Sequence, residues 1–165
     1  MHGASLLLPV VAILASTISG LTAASGVPFQ VTNLSIQAVE SANTTIKFTV
    51  YDPDPLTNAT QSCTAIWTTG SGGYPKGSYK TCGNSTFAWN MYAYTNMQHF
   101  VLGLEHKFKD PSIGNPPYDQ IITFGKGNVT SADLVCTAVG GWAGCEQPRD
   151  QTIRAPIYAV TAKRR

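Results

Sequence analysis

The sequence predicts an all-β domain: a single antiparallel barrel or sandwich-like domain of about eight or more strands with two disulfides. Three observations carry that prediction. Apolar residues recur with a period of two rather than 3.6, and turn residues interrupt the chain every ten or so positions. No segment sustains a capped helical period, and four cysteines, Cys63, Cys82, Cys136 and Cys145, form two sequence-local pairs.

At the N-terminus an apolar run extends from Leu6 to about Ile18, followed by the small residues Thr22, Ala23, Ala24 and Ser25. That pattern reads as a secretory signal. As a membrane anchor it is near the lower length limit, Pro9 and Ser16 interrupt it, and no Lys or Arg precedes Lys47. Residues 1–24 are therefore expected to be a signal peptide. Residues 25–165 are expected to form one secreted, extracellular domain, with no membrane attachment after cleavage. About 140 residues suffice for one domain with a sizeable core and are too few for two.

The strands follow in order. Phe29 to Ile36 forms a loose first strand. Ile46, Phe48 and Val50 share a face opposite Lys47 and Thr49. Cys63, Ala65 and Trp67 share another. Phe87, Trp89, Met91 and Ala93 alternate with Ala88, Asn90, Tyr92 and Tyr94, and Phe100, Leu102, Leu104, His106 and Phe108 alternate with Val101, Gly103, Glu105 and Lys107. Ile121–Phe124, Leu134–Ala138 and Ile153–Val160 complete the set. Between them lie Asp52-Pro-Asp-Pro, Gly70-Ser-Gly-Gly, Gly83-Asn84, Asp110-Pro, Asn115-Pro-Pro, Gly125-Lys-Gly and Gly140-Gly141, all turn chemistry.

Charge is nearly balanced at +2 with 12% charged residues, which gives no electrostatic case for nucleic acid. The basic cluster Lys163–Arg165 reads as a solvated tail or a dibasic processing site. Four cysteines in an oxidising compartment allow three connectivities, and the near pairs favour Cys63–Cys82 and Cys136–Cys145. No Cys-x-x-Cys spacing supports a metal site. Five sequons, at Asn33, Asn43, Asn58, Asn84 and Asn128, are glycosylation candidates expected on the surface.

No catalytic set emerges, and no metal or cofactor is called for. His99 and His106 are seven apart and point to opposite faces of one strand, which defeats a local chelate, and His106, in register with Leu102, Leu104 and Phe108, reads as a hydrogen-bonded core residue rather than a base. No Gly-x-Ser-x-Gly elbow occurs, and the acids Asp52, Asp54, Asp110 and Asp119 sit at turns where they cap their own backbone. The three prolines between Asp110 and Asp119 stiffen a loop that suits recognition of a partner, with Asp110, Tyr118 and Asp119 as candidate contacts. The alternative is an ordinary connection whose two aspartates satisfy loop amides. Trp142, in the loop Gly140–Gly144 between Cys136 and Cys145, is either a plug over the barrel end or an exposed partner contact. Trp67, Trp89, Phe87, Phe100 and Phe108 fall on inward faces, where they pack as core or line a pocket for a small apolar ligand.

The signal, the all-β pattern, the two local cysteine pairs and the order of strands resemble the Alternaria major-allergen-like family, small secreted proteins of filamentous fungi. The likeness covers about Phe29 to Ala162. It implies an antiparallel β-barrel whose two disulfides map onto Cys63–Cys82 and Cys136–Cys145. It also implies a non-enzymatic role. Members include allergens and proteins that plants detect, and some are described as binding plant defence proteins or flavonoid-like ligands. The founding allergen carries an extra cysteine that links a dimer. Nothing between Ser25 and Ser62 supplies one here, so a covalent dimer is not expected, and the Asp110–Asp119 loop has no match in that allergen. The resemblance implies an effector- or elicitor-like protein that recognises a host (plant) extracellular protein. The second reading is a carrier of a phenolic, flavonoid or lipid ligand, and the third a hydrolase of cell-wall polymers.

Overall fold

A computed structural model describes residues 26–162; the expected signal and the basic tail Lys163–Arg165 lie outside them. Eleven strands are present among the described residues: β1 (Phe29–Val39), β2 (Asn43–Asp52), β3 (Ala59–Thr68), β4 (Lys80–Thr81), β5 (Phe87–Asn96), β6 (His99–Lys109), β7 (Gln120–Val129), β8 (Val135–Val139), β9 (Trp142–Glu146), β10 (Ile153–Ala155) and β11 (Ile157–Ala162). They form two antiparallel sheets. The first runs β3-β2-β1-β9-β8 with β10 also on β1, and the second runs β11-β7-β6-β5-β4.

Period-two patterning builds the core between the sheets. Ile46, Phe48 and Val50 of β2 and Cys63, Ala65 and Trp67 of β3 are buried, and so are Phe87, Trp89 and Met91 of β5 and Phe100, Leu102 and Leu104 of β6. Phe48 meets Trp89 edge to face, with ring centroids 5.0 Å apart at 88°, a favoured aromatic geometry. Both side chains are fully buried, so the centre of the sandwich is filled.

The sheets do not close into a barrel, and the two flanks of the sandwich are joined differently. On one flank β10 pairs with β1, the chain passes Pro156, and β11 pairs with β7. Proline has no N–H to donate and so ends one ladder where the next begins. The expected single strand Ile153–Val160 is thus split between the sheets. On the other flank no ladder spans β3 and β4. The Cys63–Cys82 disulfide, with Cα atoms 4.6 Å apart, bridges them instead. Cys136 and Cys145 face each other across the β8–β9 hairpin. Both pairings are those the cysteine spacing favoured.

Two register breaks redirect side chains. Between Met91 and Ala93 the β5–β6 ladder slips, so Ala93 is exposed and Tyr94 turns toward the core in its place. A bulge resets which residues face inward from that point on. In β1 the ladder slips between Thr32 and Ser35, where Asn33 has φ 53°. Here β9 and β10 meet end to end along one edge of β1, and the buried Gln147 amide fills the gap. Its Oε1 accepts from Leu34 N at 3.1 Å, and its Nε2 donates to Val31 O at 3.1 Å and to Gln151 O at 3.0 Å. Gln147→Ala is expected to lower the unfolding free energy by about 1–3 kcal/mol, because buried main-chain groups lose their partner. Urea denaturation checks this, and a loss below the fitting error refutes the role.

Candidate functional site

Strand direction sorts the candidate residues to two ends of the sandwich. At one end lie the β1–β2 turn, the end of β3, the β5–β6 turn and the β8–β9 turn; at the other lie the β2–β3 turn and the loop between β6 and β7. The Asp110–Asp119 loop and Trp142 therefore belong to opposite ends and cannot act as one surface.

The first end holds an open cleft of about 690 Å3. Its aromatic wall is Trp67, Tyr74 and Tyr94. Tyr94 meets Trp67 edge-on at 6.0 Å and Tyr74 at 5.2 Å, and rests against Phe100 at 6.2 Å. Its position follows from the β5 bulge, and burial pushes its hydroxyl above the usual phenol range. The opposite wall is small: Ala38, Ala138, Ala143 and the Cys136–Cys145 disulfide. Thr44 and Thr69 hydroxyls, 3.0 Å apart, add a polar point. No charged side chain lines this cleft.

The cleft shares Ala38, Thr69, Ala138 and Ala143 with a shallower depression of about 430 Å3 that includes Val139 and Trp142. Trp142 opens β9 rather than sitting in a loop, and its indole lies over Gly144, where a Cβ would come within 2.6 Å of the ring. It is partly exposed and plugs no barrel end.

The second end is built around His106. Its Nδ1 lies 2.6 Å from Asp52 Oδ2, its Nε2 lies 3.0 Å from Thr86 Oγ1, and its ring stacks on Phe87 at 3.8 Å. Imidazole and carboxylate are both buried. This satisfied core histidine is what the alternation of β6 indicated; its partner Asp52, 54 residues away, is not visible locally. Asp52 Oδ1 also accepts from Asp54 N at 3.0 Å, the expected turn cap. Acid, imidazole and hydroxyl in line have the form of a proton relay. The adjoining amides are spent, however: Phe87 N on Ser85 Oγ and Lys107 N on Thr86 O. Neither is left for an oxyanion. Asp52 belongs to one sheet and His106 to the other, so the chain ties the layers together. A cleft of about 760 Å3 beside it has Leu56, Phe108, Ile121 and Ile122 in its wall, with Lys107 and Lys109.

The loop after β6 is ordered from within. Asp110 N bonds Asp119 O at 2.8 Å, and Asp110 Oδ1 accepts from Ser112 N at 2.9 Å. Hydrogen bonds from Ser112 hold the Asp110 carboxyl below the usual range. Both aspartates are buried and Tyr118 is half-buried. In this conformation the loop shows a partner Pro111, Ile113 and Pro117 rather than its carboxylates.

All five sequon asparagines are exposed, Asn58 also accepting from the Tyr51 hydroxyl at 2.7 Å. No group of three or more His, Cys, Asp or Glu side chains able to hold a metal occurs among the described residues.

Comparison with known proteins adds no relative. No family model, curated protein or solved structure matches this chain.

On the outer face of the second sheet, Tyr79, Tyr92 and Tyr158 bring their hydroxyls together, Tyr92 to Tyr158 at 3.1 Å and Tyr79 to Tyr158 at 3.4 Å. Lys126 Nζ lies 3.8 Å from the Tyr92 ring centroid and 4.7 Å from that of Tyr158. The hydrogen bond with Tyr158 holds the Tyr92 hydroxyl below the usual phenol range, while burial pushes Tyr79 and Tyr158 up. The lysine occupies ring faces that a ligand would otherwise use. This cluster serves the sheet.

Proposed function

We propose that this chain is an exported, non-enzymatic recognition protein of the fungal effector or elicitor kind. It engages a host extracellular protein through the uncharged aromatic cleft and the adjoining β8–β9 hairpin. One observation carries the reading: Trp67, Tyr74 and Tyr94 converge in a cleft lined by no charged side chain, which adjoins a depression holding Trp142 and Glu40. Binding sites concentrate aromatic surface beside a few polar groups in this way. Two disulfides, exposed sequons and the family resemblance support export.

A carrier with its ligand inside the sheets has no support, since Trp89 and Phe48 fill that space. A small ligand would use the same end cleft. The proposed site therefore includes Trp142 and the Gly140–Gly144 segment, one of the two surfaces the sequence suggested, and leaves out the other, the proline-rich Asp110–Asp119 loop.

The test is capture from plant apoplastic fluid, followed by purification of the retained protein and affinity measurement. Ala143→Arg, which places charge in the cleft, is expected to weaken binding by at least about tenfold, equivalent to one or more lost contacts. Ile113→Asp, at the opposite end, is expected to bind like the wild type. The reading is abandoned if Ala143→Arg binds normally or if Ile113→Asp is the variant that fails.

A further inference from the structure

Strand β8 is the least protected part of the sheet system. All of Val135–Val139 is exposed, with Val135 at 67% and Val139 at 70%. It pairs with β9 alone and ends its sheet. From Leu134 to Cys145 there is neither a charged residue nor a proline. Soluble proteins blunt such edges with lysine, proline, bulges or a cover, because open main-chain groups invite another strand. The second sheet does so: its edge β4 is two residues long and carries Lys80, and β11 has a register break beside Pro156. The β8 edge has no such device.

The hairpin fixes which groups point outward. Gly140 and Gly141, with φ of 54° and 80°, form a two-residue turn closed by Val139 and Trp142. Ladder alternation then makes Cys136 and Cys145 a non-hydrogen-bonded pair. Their Cα separation of 4.0 Å agrees. Cys136 and Ala138 therefore direct N–H and C=O away from β9, toward the open edge.

We propose that two copies of this chain associate through β8, antiparallel and two-fold symmetric about Thr137. In that register Val135 lies opposite the partner's Val139, and Cys136 opposite the partner's Ala138. The Cys136–Ala138 pairings are hydrogen-bonded and close the open main-chain groups of both edges. Thr137 meets its own counterpart at the axis. On the outer face the valines join a row continued by Trp142 and Val39, the cross-strand neighbours of Val139. A second copy is the favoured occupant because the strand reads alike in both directions: valine at each end, small side chains inside, threonine at the centre. It also carries no charge that would select an oppositely charged partner. A five-residue ladder is a small contact, so the dimer belongs to the weak, concentration-dependent class. This inference does not depend on the cleft's role in recognition, although both use the β8–β9 hairpin.

The test is sedimentation of the chain, with its disulfides formed, over a dilution series. Ala138→Pro removes an open-edge N–H without breaking a β9 hydrogen bond. It is expected to weaken self-association by at least about tenfold with an unchanged circular dichroism spectrum. Should that variant fail to fold, Thr137→Lys, on the exposed outer face, takes its place with the same expectation. Thr137→Cys is expected to give an air-oxidised dimer whose crosslink maps to the introduced thiols, since facing non-hydrogen-bonded Cα atoms lie about 4.5 Å apart. A chain that stays monomeric at every concentration overturns the proposal, whether or not a foreign peptide adds to β8. So does self-association unaffected by these edge substitutions, or a crosslink elsewhere.

Discussion

Replacing Cys63 and Cys82 together by alanine is expected to lower the unfolding free energy by roughly 3 kcal/mol or more, the largest effect of any change to the two disulfides. The bond spans 19 residues, against 9 for Cys136–Cys145, so it removes more freedom from the unfolded chain. It also does structural work that the second bond does not. Cys63 and Cys82 are both buried, and their bond joins the flank where no ladder connects the sheets. Losing it leaves two small cavities and an unsealed edge above a core that includes Trp67. Cys136–Cys145 braces a hairpin already paired along its length. Urea denaturation of the two double variants checks the order. A difference of only about 0.6 kcal/mol, what a doubled loop length alone supplies, would show that the sealing of the flank adds nothing.

The second large effect is expected at Asp52. Asp52→Ala should cost about 1–3 kcal/mol or more, because removing one partner of a buried hydrogen bond leaves the other unsatisfied. His106 Nδ1 would lose its 2.6 Å partner while Phe87 still covers the ring. The amide of Asp54 would lose its cap as well. Replacing Asp52 and His106 together by leucine is expected to recover most of the loss, since replacing both hydrogen-bond partners by apolar groups of similar shape can be nearly neutral. A single substitution costing less than about 1 kcal/mol, the scale of an exposed pair, would remove the tie between the sheets from consideration.

Much of the architecture is legible in the alternation of particular residues. Ile46, Phe48 and Val50 against Lys47 and Thr49 identify a strand and its buried face without help. Cys63, Ala65 and Trp67 do the same. The misassigned positions lie where the two-residue period is interrupted by geometry that no local pattern records. The bulge in β5 exchanges Ala93 for Tyr94, and that exchange brings the aromatic wall of the cleft together. Pro156 sits inside an apparently continuous strand, yet it marks the passage from one sheet to the other. Gly140 and Gly141 read as a turn and make a tight hairpin, but the loop expected to run on to Gly144 is strand from Trp142 onward. Asp52 could be recognised as a cap because its amide partner is two residues away. Its histidine is found only by folding the chain. The same holds for Gln147, whose amide serves main-chain groups more than a hundred residues distant.

The arrangement of β1 has a kinetic corollary. This strand is the first of the eleven to emerge during synthesis, yet it is flanked on one side by β9 and β10, among the last. Its inner edge has no neighbour until nearly the whole polypeptide has been made. Pairings between segments so far apart in sequence are slow to nucleate. A nascent chain of this design keeps one side of its central strand unpaired until the final strands have been made.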